Sequence, residues 1–188
     1  EGFVGQPQLV SLELDLSSCS ISSADGLRGI RHLQRLESLT LRMKSCKSIT
    51  SVPELAAIGY LSNLTSLTLE LAGCSAIESI EPFGNALAHE GASSSSLPLL
   101  AELRLDLRDC SSLRSIERLA GGLAKVSRLK SLRLDLGHCV GLSNVDQLGN
   151  SIMGLENLRS LQLYLMECHG LTSVDELVDG IAQHSSFQ

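Results

Sequence analysis

The chain has 188 residues with a hydrophobic fraction of 43%, but only 3% aromatic residues and no tryptophan. That is enough to bury a core, and the core it implies is made of aliphatic layers rather than aromatic bulk. A net charge of -6, with Lys and Arg dispersed along the chain, gives no electrostatic reason to seek nucleic acid or anionic lipid. No apolar run approaches the roughly 20 residues needed to span a bilayer. The opening Glu1-Gly2-Phe3-Val4 lacks the basic-then-apolar pattern of a secretory leader.

The first predicted element is a strand. Leu12, Leu14 and Leu16 alternate with polar residues, which marks one buried face, and Cys19 and Ile21 follow. The same arrangement returns five times. It reads Leu39/Leu41/Met43 before Cys46 and Ile49, then Leu67/Leu69/Leu71 before Cys74 and Ile77. It continues as Leu103/Leu105/Leu107 before Cys110 and Leu113, then Leu132/Leu134/Leu136 before Cys139 and Leu142. The last is Leu161/Leu163/Leu165 before Cys168 and Leu171. Successive cysteines are 27, 28, 36, 29 and 29 residues apart. The long interval holds a serine-rich insertion at 89–96, and removing those eight residues restores 28.

A helix is predicted after each strand. Ser51-Val52-Pro53-Glu54 and Ser173-Val174-Asp175-Glu176 read as capping boxes, with Asn144-Val145-Asp146-Gln147 as a variant and Ser79 and Ser115 in the same column. Aliphatic residues at helical spacing follow, such as Leu119, Leu123 and Val126, or Leu148, Ile152 and Leu155. Gly121, Gly122, Gly149 and Gly180 fall inside these helices. Each glycine costs about 1 kcal/mol of helix propensity against alanine, so the helices depend on docking, and the small residues let a helix sit close to its neighbour. Strand, turn, helix and turn every 28 or 29 residues predict an α/β fold: a right-handed solenoid of six strand-helix repeats with a curved parallel sheet on its concave face. The repeats fall at approximately 9–35, 36–63, 64–99, 100–128, 129–157 and 158–184 of a single domain, 1–188.

The run Leu9-Val10-Ser11-Leu12-Glu13-Leu14-Asp15-Leu16-Ser17-Ser18-Cys19 resembles the leucine-rich-repeat family. Unit length is similar to the ribonuclease-inhibitor-like class, and the cysteine resembles the cysteine-containing class found in F-box proteins. The strand carries one L-x step more than the usual family strand. The resemblance implies a sheet whose concave side binds macromolecules, usually proteins, and implies no chemistry.

Six cysteines allow three readings. A thiol turned inward in every repeat, bonded to the backbone of the turn, stacks into a ladder of small buried hydrophobes. Disulfides would need parallel in-register side chains to aim at one another, which strand geometry does not favour. A metal site could draw on His138-Cys139 and Cys168-His169, but the histidines flank the cysteines on opposite sides and no C-x-x-C spacing occurs. Free thiols fit a reducing, intracellular compartment. One sequon, Asn63-Leu64-Thr65, points the other way.

With leucines inward, three outward columns run along the sheet. They read Glu13, Thr40, Thr68, Arg104, Arg133, Gln162; then Asp15, Arg42, Glu70, Asp106, Asp135, Tyr164; then Ser17, Lys44, Ala72, Arg108, Gly137, Met166. Three successive acids repel by somewhat under 1 kcal/mol per pair in water at strand spacing, and diagonal arginines can offset that. This face reads as a self-neutralising charged sheet, as a docking site for a protein or, through Glu70, Asp106 and Asp135, as a cation site. Binding energy concentrates on Tyr, Trp and Arg, so the candidate partner-binding residues are Arg104, Arg108, Asp106, Arg133, Asp135, Tyr164 and Met166. The serine run at 89–96 reads as a surface loop. Neither end carries a dedicated solenoid cap, which suggests a continuing array or a covering partner. No nucleophile–base grouping, phosphate loop or metal motif stands out, so the expectation is a non-enzyme without cofactor or metal. Its expected role is protein binding or scaffolding; the alternative is a structural subunit of a large assembly held through its ends.

Overall fold

The computed structural model describes residues 8–88 and 97–184; the insertion at 89–96 lies outside the described residues. Six five-residue strands lie side by side in sequence order: β1 (Ser11–Asp15), β2 (Ser38–Arg42), β3 (Ser66–Glu70), β4 (Glu102–Asp106), β5 (Ser131–Asp135) and β6 (Ser160–Tyr164). All pairs are parallel and in exact repeat register, Leu14 against Leu41, Leu41 against Leu69, and so on to Leu134 against Leu163. Between the strands the chain crosses the other side of the molecule. It does so as η1 (Asp25–His32), η2 (Pro53–Tyr60), α1 (Glu81–Ala88), α2 (Glu117–Leu123), α3 (Asp146–Met153) and, after β6, α4 (Asp175–Ala182). One sheet face is therefore covered by helices and the other is open. This is a solenoid of six strand-helix repeats, as the leucine pattern predicts.

The extra L-x step continues the sheet. Past the strand ends, the parallel hydrogen bonding runs on through the third apolar residue and the turn, as in Met43 N–H to Glu70 O (2.8 Å) and Ser45 N–H to Ala72 O (2.7 Å). The turn is closed by a residue in the left-handed region in every repeat: Ser18, Ser45, Gly73, Asp109, His138 and Glu167, with φ between 57° and 75°. Only the third repeat puts glycine there, so five repeats carry a strained side chain that the surrounding hydrogen bonds hold in place.

The cysteine follows. The N–H of Cys19, Cys74, Cys110 and Cys139 reaches back to the third apolar residue, and from the second repeat on the Sγ–H donates to the equivalent carbonyl of the preceding repeat. The thiol distances are 3.2 Å (Cys46 to Leu16 O), 2.9 Å (Cys74 to Met43 O), 3.4 Å (Cys110 to Leu71 O), 3.1 Å (Cys139 to Leu107 O) and 3.0 Å (Cys168 to Leu136 O). All six cysteines are free; Cys19, in the first repeat, is exposed and the other five are buried.

Two expectations need correction. The first two crossings are 3-10 helices, not α-helices. They have 13 residues from helix start to next strand, 25–37 and 53–65, where α2 and α3 have 14, 117–130 and 146–159. A 3-10 helix rises about 2.0 Å per residue against 1.5 Å, so a segment one residue shorter spans the repeat by winding more tightly. The capping boxes do not form. No residue at the helix N-cap makes a side-chain cap hydrogen bond where that cap is described. The polar residue one step earlier accepts the N–H two positions on: Ser79 Oγ from Glu81, Ser115 Oγ from Glu117, Ser173 Oγ from Asp175, and Asn144 Oδ1 from Asp146. The column was legible, but it folds as a local side-chain turn.

The core runs the length of the array and is almost wholly aliphatic, with Phe83 as its buried aromatic among the described residues. The helices meet through small residues. Gly84 lies against Gly122 between α1 and α2, and Gly149 against Gly180 between α3 and α4. Between α2 and α3 the matching positions are Ala120 and Ser151, and Ser151 Oγ–H bridges to Ala120 O at 2.7 Å.

Candidate functional site

The open sheet face is built by the alternate strand residues, and its charges are layered. Glu70, Asp106 and Asp135 are buried, although they belong to the outward columns. They stand in register on β3, β4 and β5. Cations lie over them. Glu70 gathers three: Lys44 Nζ at 2.8 Å and Arg42 Nε at 3.2 Å from Oε2, and Arg104 Nη2 at 3.6 Å from Oε1. Neither contact to Oε2 has hydrogen-bond directionality, so that oxygen is held by charge. Arg42 also pairs with Glu13 of β1. The Nε of Arg108 bridges two acids, Asp106 Oδ1 at 3.3 Å and Asp135 Oδ2 at 3.5 Å. The hydrogen bond to Asp106 is the main reason the Arg108 pKa is pushed above its ordinary value. Backbone N–H groups of Arg108 and Gly137 finish these carboxylates at 3.2 Å each.

Arg133 is placed differently. Its Nη1 donates to Gln162 Oε1 at 2.6 Å and to Tyr164 Oη at 2.9 Å, and its guanidinium lies over the Tyr164 ring, 4.5 Å from the centroid. Such cation–π stacking fixes both side chains. Beside them Gly137 leaves a notch into which Met166 leans; a Cβ at Gly137 would meet Met166 Cγ at 3.1 Å. Met166 stays exposed.

The structure thus brings together Arg104, Arg108, Arg133, Tyr164 and Met166 on one surface. Asp106 and Asp135 sit beneath it as supports and are not available for contact. Reasoning from sequence left Arg42, Lys44 and Gln162 out of the patch, though their columns placed the first two beside Glu70 and the third beside Arg133. A second concavity of about 680 Å³ lies on the helix side, lined by Asn85, Glu117, Arg118, Lys125 and Asp146 among others. It lies where α2 and α3 meet through Ala120 and Ser151 instead of a glycine pair.

Most of the thiol column is shielded from reaction by burial, with Cys19 as its exposed member. Burial pushes the Cys110 thiol far up and Cys139 up to about 12, and raises Cys74 and Cys168 as well. His138 and His169 are exposed while Cys139 and Cys168 are buried, so these pairs do not converge. Among the described residues no cluster of three or more His, Cys, Asp or Glu could hold a metal ion, and no helix is long and apolar enough to cross a membrane. A thiol with a raised folded pKa stabilises the fold fully below the unfolded value near 9, and the gain is lost as pH rises toward the folded value. Stability to urea is therefore expected to fall between about pH 9 and 12. At neutral pH, iodoacetamide is expected to label Cys19 alone in the native protein and all six thiols after unfolding. Fast native labelling of two or more thiols would contradict the buried column.

No family model matches the chain, and no curated protein matches it. Among solved structures, 98% of the chain aligns with an internalin from Listeria monocytogenes at 17% identity and a TM-score of 0.27. A leucine-rich-repeat protein from Leptospira interrogans aligns over 85% of the chain at 16% identity and a TM-score of 0.25. The chain spans 61% and 55% of those two proteins.

Proposed function

We propose that this leucine-rich-repeat solenoid is a non-catalytic protein-interaction module that takes a protein partner on the open sheet face of its fourth to sixth repeats. One observation carries the reading: Arg133 and Tyr164 are clamped to each other on a rigid sheet, with exposed Arg104, Arg108 and Met166 around them. Side chains fixed before binding lose little entropy on binding, and Tyr and Arg are the residue types that anchor interfaces. Buried, protonated thiols fit a non-enzyme, and six free cysteines fit a reducing compartment.

The test is affinity purification of the intact protein from its source, with mass spectrometry of what co-elutes. The triple variant Arg108→Ala, Arg133→Ala, Tyr164→Ala is compared with the native sequence. A stoichiometric partner reduced at least tenfold in the variant is expected. Full retention by the variant, or a monomer without partners, overturns the reading.

A second reading, a structural subunit held through its ends, is favoured by the end layers. Leu12, Leu14 and Leu16 at one end and Leu161, Leu163, Leu165 and Ile181 at the other are only partly buried, and Val174, just before α4, and Val178 within it are exposed. Association lost on Val178→Asp and indifferent to Tyr164→Ala would select it.

A further inference from the structure

We infer that the partner segment taken by this face is acidic: an extended protein strand whose carboxylates sit over Arg104 and Arg133. The inference rests on the interaction-module reading and specifies its chemistry.

The layering is the first reason. The side chains of Glu70 and Asp106 are 6% exposed, whereas those of Arg104 and Arg108 are 48% exposed and Lys44 is 40% exposed. An approaching partner meets the cations and not the acids beneath them. Glu102, an exposed carboxylate on β4, makes a contact to Ser66 Oγ at 3.4 Å and no ion pair among the described residues. The protein as a whole is acidic, at -6, so this cationic surface is a local departure from its background.

Charge accounting is the second reason. Arg42, Lys44 and Arg104 gather on Glu70, and Glu13 is a second partner of Arg42, so three cations face two carboxylates. Among the described residues Arg133 pairs with no carboxylate: its partners are the amide of Gln162 and the phenol of Tyr164. Arg104 and Arg133 are register partners on adjacent strands, about 4.8 Å apart along the sheet. Their guanidiniums lean apart, Arg104 toward Glu70 and Arg133 toward Gln162 and Tyr164, so an anion lying over both meets guanidinium N–H groups on either side. A shallow trough of about 250 Å³ lies there, lined by Arg104, Arg133 and Gln162 with Ser66, Thr68 and Ser131 and with one carboxylate, Glu102, so its two arginines outnumber its acid.

The third reason is the phenol of Tyr164. Its oxygen accepts from Arg133, which leaves its own O–H to donate outward, to an acceptor. Guanidinium N–H groups with a phenol O–H beside them are a carboxylate's complement. A nucleic-acid strand fits less well. Arg133 covers one face of the Tyr164 ring, which halves what it can offer for base stacking, and the cations give way to Gln162 and Tyr164 in the sixth repeat.

Poly-L-glutamate is the probe. In 15N NMR of the full chain at low salt, it is expected to shift the Arg104 and Arg133 Nε–Hε signals and the amides of 104, 133 and 164. Raising the salt should reverse the shifts, and Arg104→Glu/Arg133→Glu should weaken binding at least tenfold. Arg133→Gln, which removes the charge but keeps a polar side chain beside Gln162, is expected to weaken it several-fold and guards against misfolding of the double variant. Shifts elsewhere on the surface, equal affinity of the charge-reversed variant, or tighter binding of polyuridylate at the same residues would each overturn the acidic-segment assignment. A co-purified partner lost on Tyr164→Ala but unaffected by Arg104→Glu/Arg133→Glu would overturn it while leaving the interaction module intact.

Discussion

Gly149→Ala is expected to destabilise the protein by about 3 kcal/mol, the upper part of the range for overpacking. A Cβ at this position would stand 2.1 Å from Glu176 O and 2.8 Å from Leu177 Cα, both backbone atoms of α4. No side-chain rotation can relieve such a contact, so α4 has to move away. Gly180 is the reciprocal half, its own Cβ position 2.3 Å from Gly149 O. Because each repeat of a solenoid contacts only its neighbours, the damage should appear first as loss of the sixth repeat. Hydrogen exchange on residues 175–182 would accelerate before the rest of the chain does. The control lies in α2. Nothing lies within 4 Å of a Cβ at Gly121, so Gly121→Ala should gain up to about 1 kcal/mol from helix propensity. Equal urea midpoints for Gly149→Ala and the native protein would show that α3 and α4 do not meet backbone to backbone.

Phe83→Ala is expected to cost about 3–5 kcal/mol, the usual range for removing a fully buried aromatic. Phe83 is completely buried in α1. It stands in a column of the third helix residue that otherwise reads Leu27, Leu55, Leu119, Leu148 and Leu177. The third repeat lies inside the array, so a cavity there weakens two interfaces and cannot be shed by fraying an end. The melting temperature should drop by on the order of 10 °C for a chain of this size. Phe83→Leu restores the residue of the other repeats and should cost under about 1.5 kcal/mol, since most of the volume is kept. A loss below 1 kcal/mol for the alanine variant would mean that the layer collapses onto the cavity.

These two positions show what kind of information the pattern of residues holds. The alternation of leucines, the column of cysteines and the 28- or 29-residue spacing state which faces are apolar and how often they recur. Transfer of apolar surface out of water is short-ranged and additive, so that pattern alone sets the strands, their register and the order of the sheet. The eight-residue insertion could be subtracted for the same reason, since it interrupts the period without altering it.

The glycine pairs were half legible. Each glycine inside a helix signals a close approach, but the partner lies one repeat away. Gly149 meets Gly180 because helices of neighbouring repeats stack with an offset of two positions, and that offset is a property of the packed array. The 3-10 form of η1 and η2 likewise follows from a length of 13 residues set against a span that only the assembled sheet defines.

For the candidate site the division is sharper. Sequence alone determined the columns, and with them the neighbourhood of Arg104, Arg108, Arg133, Tyr164 and Met166. Only the tertiary structure decided that Asp106 and Asp135 lie beneath the arginines, that Lys44 and Arg42 reach across to Glu70, and that Arg133 folds onto Tyr164 and Gln162. The physical reason is reach. A hydrophobic column is fixed by the direction of Cβ, which the strand period gives at once. A long guanidinium or ammonium group can choose among acids one strand away or two residues along. That choice is settled by burial and by which hydrogen-bond acceptors remain free.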